Sequence, residues 1–411
     1  MDKDLPKLTV VIPTRERADT LIHTLRTVSE QKYANLEIIV SDNASSDNTK
    51  EVVESFKDKR IRYTTTERRI GMSENWEHAL ALITGEYVMY LGDDDGLLPD
   101  ACSEVANLII KYSTKAIIWK KPDYTWPNVK SAPNQLSLSI DNKLIEMQGK
   151  ILVKAIAKGR TSYGRLPIIY SGFVSMAIVQ KIKDLDGKFF HSITPDVYSG
   201  IVLANEIDKY LYSTRPFSIN GGSQHSNGIN SIYNKNAASN FFQETTIPIH
   251  QSIPVIKGSI QSSVAEAFMQ AFDRGLVGNI PLDRKRVFSN IFGELCALDI
   301  NLKTEGLRQL AALSHTGLKN LVQKELVKME NQNHGTGNSY GWKKINGNCA
   351  LNINCNHFKV NNSFDACQLI DSLIGSYESP EKVIKANNIS FILLYLSRLV
   401  KNKLENYILP F

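Results

Sequence analysis

From residue 8 to residue 119 the chain alternates short apolar runs with segments of helical spacing, and this rhythm restricts the possible folds more than any other feature. Leu8 to Ile12 reads as a strand that Pro13 ends, and Ala18 to Ser29 carries Leu21, Ile22, Leu25 and Val28 at helical intervals. Leu36 to Val40 is a second strand, followed by a Ser/Asn/Asp loop and a helix from about Thr49 to Phe56. Arg60 to Thr64, Tyr87 to Leu91 and Ala116 to Trp119 are further strands, separated by helices over Gly71 to Leu82 and Pro99 to Lys111. Strands that alternate with helices imply a mostly parallel sheet covered on both faces, an α/β architecture of nucleotide-binding type.

Beyond Lys121 the rhythm breaks. Pro122, Trp126, Pro127 and Pro133 mark an irregular stretch, and a helix is expected near Lys143 to Ala157. Pro167 to Ile178 looks strand-rich, Asp196 to Ala204 helical, and Lys209 to Ser213 a strand. After about Asn230 helical spacing dominates, with polar interruptions at 331–348 and 351–363. A chain of 411 residues exceeds the size of a single growing core. The expected organisation is therefore a catalytic domain over 1–230, made of a nucleotide-binding half (1–120) and an acceptor half (121–230), and a mainly helical region over 231–411.

Composition excludes several classes. A net charge of +6 is too small for a nucleic-acid binder, though it suits an anionic substrate. The start MDKDLPKLTVVIP is charged and runs straight into a strand, unlike a signal peptide. No stretch approaches the roughly 20 apolar residues that span a bilayer. Five cysteines suggest free thiols in a reducing, cytoplasmic setting. Cys349, Cys355, His357 and Cys367 lack the two-residue knuckle of structural zinc sites.

The chemistry concentrates where strands end. YVMYLGDDDGLLP stops an apolar run at Asp93, Asp94 and Asp95, which should emerge at the carboxyl edge of the sheet. Three adjacent like charges either face water as an acidic turn or hold a cation, and oxygen ligands suit Mg²⁺ or Mn²⁺ shared with a phosphate. The first strand ends in Pro13, Thr14 and Arg15, the second in Asp42 and Asn43, and both turns open on that edge. Arg68 and Arg69 precede a helix carrying Asn75, and arginine is a natural diphosphate partner. Neither a GxxxxGK[ST] loop nor a GxGxxG after the first strand occurs, so P-loop and dinucleotide folds do not fit.

Taken in order, VVIPTRERADTL, IIVSDNASSDNT, GMSENWEHAL and YVMYLGDDDGLLPDA resemble the N-terminal half of family 2 glycosyltransferases with the GT-A fold. The resemblance covers about residues 7 to 110 and fades through about 228. It departs from the common pattern at Arg15 and Glu16, in place of an aromatic-Asn pair, at Asn43, where a second Asp is frequent, and at Gly92, where the DxD motif usually starts.

The resemblance implies an inverting, metal-dependent glycosyltransferase of bacterial surface-polysaccharide type, acting on a nucleotide-sugar donor and a lipid-linked saccharide acceptor. It implies Mn²⁺ or Mg²⁺ on Asp94, assisted by Asp95 and by His225 from the Gly-rich loop NGGSQHSNG, which would serve as a lid. Asp93 would face the ribose; Pro13, Thr14, Glu16 and Asp42 would hold the nucleoside, with Arg69 and Asn75 nearby. Asp196 in HSITPDVYSG would be the general base. That residue is also well placed as an ordinary helix-start carboxylate, where the helix dipole lowers its basicity while a closed site raises it. The tail NNISFILLYLSRLVKNKLENYILPF could dock at the inner face of a membrane or pack as a core helix. A sugar-phosphate nucleotidyltransferase would need a GxGTRL-type loop after the first strand, which is absent. A catalytically silent nucleotide-binding scaffold of the same fold is the other alternative.

Overall fold

Strand β1 (Leu8–Thr14) and strand β2 (Leu36–Asp42) are apolar almost throughout because both faces of each are covered. The computed structural model describes residues 5–375, except 140, 225, 227–243, 254, 299, 314–318, 321, 325 and 328–349, together with 383–385. β1 lies between β2 and β4 (Tyr87–Tyr90), parallel to both, and β3 (Ile61–Thr65) continues the parallel set beyond β2. Alternate side chains enter different cores, as the two-residue period of a strand requires. Val11, Ile39, Val88 and Tyr90 face Trp76 and Leu80 of α3 (Met72–Leu80). Val10, Ile12, Ile38, Val40 and Met89 face Leu21 and Leu25 of α1 (Ala18–Ser29) together with Val105 and Ile109.

The sheet grows on the other side of β4 through β10 (Gly172–Ser175), which is antiparallel to both β4 and β6 (Ala116–Trp119). Next come β11 (Lys209–Ser213), parallel to β6, and β9 (Leu144–Gln148), antiparallel to β11. The result is a large, mostly parallel sheet flanked by helices, the α/β architecture expected of the chain. A smaller sheet joins β5 (Gly96–Leu97), β12 (Ser218–Gly222), β7 (Asp123–Thr125) and β8 (Gln135–Ser139). Since β5 immediately follows the three aspartates, its pairing with β12 carries residues 221–223 onto them.

Helical spacing after residue 260 gives α8 (Ile260–Asp273), α9 (Arg284–Cys296) and α10 (Ile300–Leu313). The expected division at residue 230 does not separate two cores. Phe268, Ala271, Phe288 and Leu307 share one continuous apolar cluster with Tyr198 and Ile201 of α7 (Pro195–Glu206) and with the strands above. The chain then returns to its N-terminal half. β13 (Ala350–Asn354) pairs with β8, α11 (Ser363–Ile374) packs beside α1, and β14 (Val383–Lys385) extends the large sheet at β9. The interruption expected over 351–363 therefore begins as an edge strand. Cys355 and Cys367 are buried free thiols in the apolar cluster beneath the small sheet, while Cys349 lies outside the described residues.

Candidate active site

The aspartate turn is fixed by one contact set per carboxylate. Thr14 at the end of β1 and Arg17 in the turn after it donate to the two oxygens of Asp93, each at 2.8 Å. Burial works against the Arg17 guanidinium, but Asp93 and Asp94 beside it hold its pKa above the ordinary arginine value. Asp95 is fully buried and spent on protein donors. Its oxygens take the Gly221 amide at 2.7 Å and the Lys121 ammonium at 3.2 Å, and Tyr170 adds a further hydrogen bond. Asp95 thus braces the loop instead of presenting an open oxygen, which departs from its expected share in metal binding.

Asp94 differs from its neighbours. Ser223 donates its hydroxyl to one carboxylate oxygen at 2.7 Å, and Ser226 donates to the same atom. Burial, then Asp93, then Asp95 push its pKa up to about 6, against the pull of Arg17 and Ser226. A buried carboxylate crowded by like charges is one that a divalent cation would relieve, so its chemistry fits the implied ion. Among the described residues no group of three or more His, Cys, Asp or Glu side chains is arranged to hold a metal. Asp94 would therefore supply one ligand, with diphosphate and water completing the shell, as is common for Mg²⁺ and Mn²⁺ at phosphates. His225 lies outside the described residues.

Two glycines make this packing possible. A Cβ on Gly92 would sit 2.5 Å from the Tyr170 hydroxyl and 3.1 Å from an Asp95 oxygen. A side chain at position 92 would have to displace the Tyr170 hydroxyl from its place beside Asp95. A Cβ on Gly221 would lie 1.7 Å from the Asp94 carbonyl oxygen. That same oxygen accepts the Trp126 indole N–H at 3.0 Å, so the strand has no room to withdraw cheaply. Gly221→Ala is expected to cost about 3 kcal/mol or more in stability, at the upper end of overpacking effects, read by thermal unfolding. A melting curve superimposable on that of the unaltered protein would contradict the tight approach.

The turns after β1 and β2 lock together beside the aspartates. Glu16 and Ala44 both adopt left-handed backbone, with φ of 52° and 51°, a strain of roughly 1 kcal/mol or more each outside glycine. The Glu16 amide donates to the Ser45 hydroxyl at 2.8 Å, and the Ser46 amide donates back to the Glu16 carboxylate at 3.0 Å. Arg69 forms an ion pair with that carboxylate, and Arg15 does so with Glu244. Asp42 is buried, accepting from the Ser45 amide at 3.0 Å and from the Tyr63 hydroxyl at 2.6 Å. Asn75 is an internal tie. Its carboxamide accepts from the Ser41 hydroxyl at 2.9 Å and donates to the Ser41 carbonyl at 3.2 Å, joining α3 to β2. This pairing makes Asn75 a tie between helix and strand, a role that the sequence reading did not assign to it. Pro13 lies opposite Ser41, one residue before Thr14 faces Asp42.

Asp196 occupies the second position of α7, after Pro195. Burial raises its pKa, opposed by the amides of Val197 and Asp196 itself and by the Lys121 charge. Of the two influences that the sequence set against each other, desolvation is the larger and the helix-start amides the smaller. Lys121 links this residue to the aspartates, since it pairs with Asp95 and lies 3.8 Å over the Tyr170 ring while acting electrostatically on Asp196. Lys121, Arg17, Tyr170, Ser223 and Ser226 were absent from the expected site. Arg17 is adjacent to the expected site residue Glu16 and could have been found from its position in the turn between β1 and α1. Ser223 and Ser226 lie in the Gly-rich loop NGGSQHSNG already singled out for His225, whereas nothing local marks Lys121 and Tyr170.

Residues 9–169 match the model described as Glycosyl transferase family 2. This segment is a family 2 glycosyltransferase domain. A GalNAc(5)-diNAcBac-PP-undecaprenol beta-1,3-glucosyltransferase of Campylobacter jejuni is 40% identical over 102 residues, which is 24% of this chain and 33% of that protein. The UDP-Glc:alpha-D-GlcNAc-diphosphoundecaprenol beta-1,3-glucosyltransferase WfgD of Escherichia coli is 33% identical over 88 residues, or 21% of this chain and 35% of that protein. The abequosyltransferase RfbV of Salmonella typhimurium is 33% identical over 95 residues, covering 22% and 28%. The matched part thus spans about a third of these relatives' length. The family 2 domain contains the aspartate turn, Thr14, Arg17, Asp42 and Lys121, whereas Asp196 and Gly221 lie beyond the matched residues.

Proposed function

We propose that this chain transfers a sugar from a nucleotide-diphosphate donor to a saccharide acceptor with inversion, using a divalent cation at Asp94. The observation that carries this reading is the geometry around Lys121, which pairs with Asp95 of the aspartate turn at 3.2 Å, lies 3.8 Å over the Tyr170 ring and acts electrostatically on Asp196 at the start of α7, while burial raises the pKa of both Asp94 and Asp196. Separated carboxylates with perturbed titration at one sheet edge are a signature of a reactive site.

Asp196 accepts the proton of the acceptor hydroxyl as that oxygen attacks the anomeric carbon. A new glycosidic bond forms, the bond to the phosphate oxygen breaks, and the nucleoside diphosphate leaves with the electron pair. The cation, when bound, stabilises the charge that develops on the diphosphate. Thr14 and Arg17 hold Asp93 rigid beside Asp94, and Arg69 offers an exposed cation at the rim of the nucleoside turns. The donor's base and ribose would lie against the turns around Glu16 and Asp42. The names of the relatives favour a diphosphate-lipid-linked saccharide as acceptor and surface polysaccharide as product. Such an acceptor would bring the enzyme to the inner face of a membrane. No helix among the described residues is long and apolar enough to cross one.

A panel of UDP-, GDP- and dTDP-sugars with Mn²⁺ tests the reading. One donor is expected to release its nucleoside diphosphate, and excess EDTA is expected to reduce the rate by at least about 10²-fold, with recovery on adding Mn²⁺. Binding of a nucleoside diphosphate without turnover of any donor would favour the silent scaffold instead.

A further inference from the structure

Resting on the glycosyltransferase reading above, we infer that Glu266 of α8 is a positioning residue for the general base, acting through Ser192 and Thr194 on the start of α7. Glu266 is completely buried, yet it lies in the helical region outside the matched domain. One of its oxygens accepts the Ser192 hydroxyl at 2.6 Å. The other accepts the His250 amide at 3.1 Å and the Gln270 side-chain amide at 2.8 Å.

Ser192 passes this constraint to the base. Because its proton is directed at Glu266, its oxygen is left to accept the Thr194 amide, at 3.2 Å. Thr194 is the residue that caps α7, two positions before Asp196. Its own side chain forms no capping hydrogen bond to the helix, so the turn depends on outside support. From the opposite side the Ser73 hydroxyl of α3 donates to the Ser192 carbonyl at 2.6 Å, and Glu77 of α3 accepts the amides of Phe189 and Phe190 at 2.9 and 3.1 Å. The turn that carries the base is therefore clamped between the nucleotide half and α8. On the α8 side, apolar packing joins the two helices, and Glu266 supplies the hydrogen bond that reaches the turn itself.

The same carboxylate anchors a strap from the donor side. Glu244 pairs with Arg15 at the β1 turn, and Glu74 of α3 accepts the Thr246 amide at 2.6 Å. Four residues on, the His250 amide ends on Glu266. A buried charge held by three donors is expensive to maintain when apolar packing could fill the space, so this arrangement is better suited to fixing geometry than to adding stability.

Kinetics of the full chain with UDP-glucose and Mn²⁺, or with whichever donor the panel identifies, test the inference. Glu266→Ala is expected to lower kcat on the order of 10²-fold, as a base displaced by about 1 Å would, while affinity for the released nucleoside diphosphate changes by less than about twofold. Glu266→Gln keeps one acceptor oxygen and should recover part of the loss. Ser192→Ala should match Glu266→Ala, and the double variant should be no worse than either, because both break one chain of contacts. In native-state hydrogen exchange, the amides of residues 192–197 should exchange at least about tenfold faster in Glu266→Ala, with β1 and β4 unchanged. This last measurement needs no turnover, so failure of the contact chain is distinguishable from failure of the glycosyltransferase reading. A kcat within about threefold of the unaltered enzyme, an equal loss in nucleotide affinity, additive single variants, or unchanged exchange at 192–197 would each overturn the inference.

Discussion

Asp196→Asn is expected to lower kcat by about 10³-fold while leaving nucleoside diphosphate affinity nearly unchanged, within the range for losing a general base. The substitution keeps the shape of the α7 start and removes only the group that accepts the proton. The pH profile supplies a second signature. Burial places the Asp196 pKa above the ordinary carboxylate value, and only the ionised form can act as a base. Activity should therefore fall as pH drops through a value above the usual aspartate range, and this acid limb should be missing from the residual rate of the variant. Stopped assays of diphosphate release across pH, on enzyme checked for intact folding, measure both. A variant retaining more than about a tenth of the rate with the same acid limb would assign the base to another group.

Asp94→Asn should separate function from stability in opposite directions. Turnover is expected to fall by about 10³-fold, and Mn²⁺ should no longer strengthen nucleotide binding in calorimetry. The fold, however, should gain. With its pKa pushed up to about 6 from the ordinary aspartate value of 3.8, an ionised Asp94 opposes folding when no cation is present. Its favourable contribution is full below the unfolded value and is lost as pH rises from about 4 through 6. Removing the charge should thus stabilise the cation-free protein at neutral pH by up to about 3 kcal/mol, a rise of a few degrees in Tm. A residue that costs stability and gives activity is the pattern expected of a working site. Loss of both together would mean that Asp94 serves the loop as Asp95 does.

The alternating pattern over the first 120 residues was legible because each run reports on its own surroundings. Helix α1 spans the expected Ala18–Ser29, β4 starts at the expected Tyr87, and α7 carries Asp196 in its first turn. Boundaries moved by a residue or two where strand pairing extended them, as at β2, which continues through Ser41 and Asp42 because these pair with Pro13 and Thr14. The acidic cluster was equally visible, but the roles within it were not. Asp93, Asp94 and Asp95 are identical in sequence terms, and they diverge only through partners from elsewhere in the chain. Arg17 claims the first, Ser223 and Ser226 the second, Lys121 and Gly221 the third. No local pattern around Ser192 or Glu266 points to a contact spanning α7 and α8.

By itself, then, the sequence determined the parallel α/β frame and the edge at which the chemistry gathers, because burial of each strand and the exit of its end are properties of short segments. It also carried the likeness to family 2 glycosyltransferases. Only the tertiary structure decided which protein donors each aspartate meets, how far Asp196 is withdrawn from solvent at the start of α7, and how the C-terminal helices and strands join the first half. Those outcomes depend on desolvation and on donors brought in by strand pairing and helix packing across more than a hundred residues, as between Asp94 and Ser223. Such long-range terms are set by the whole packed chain and leave no local trace.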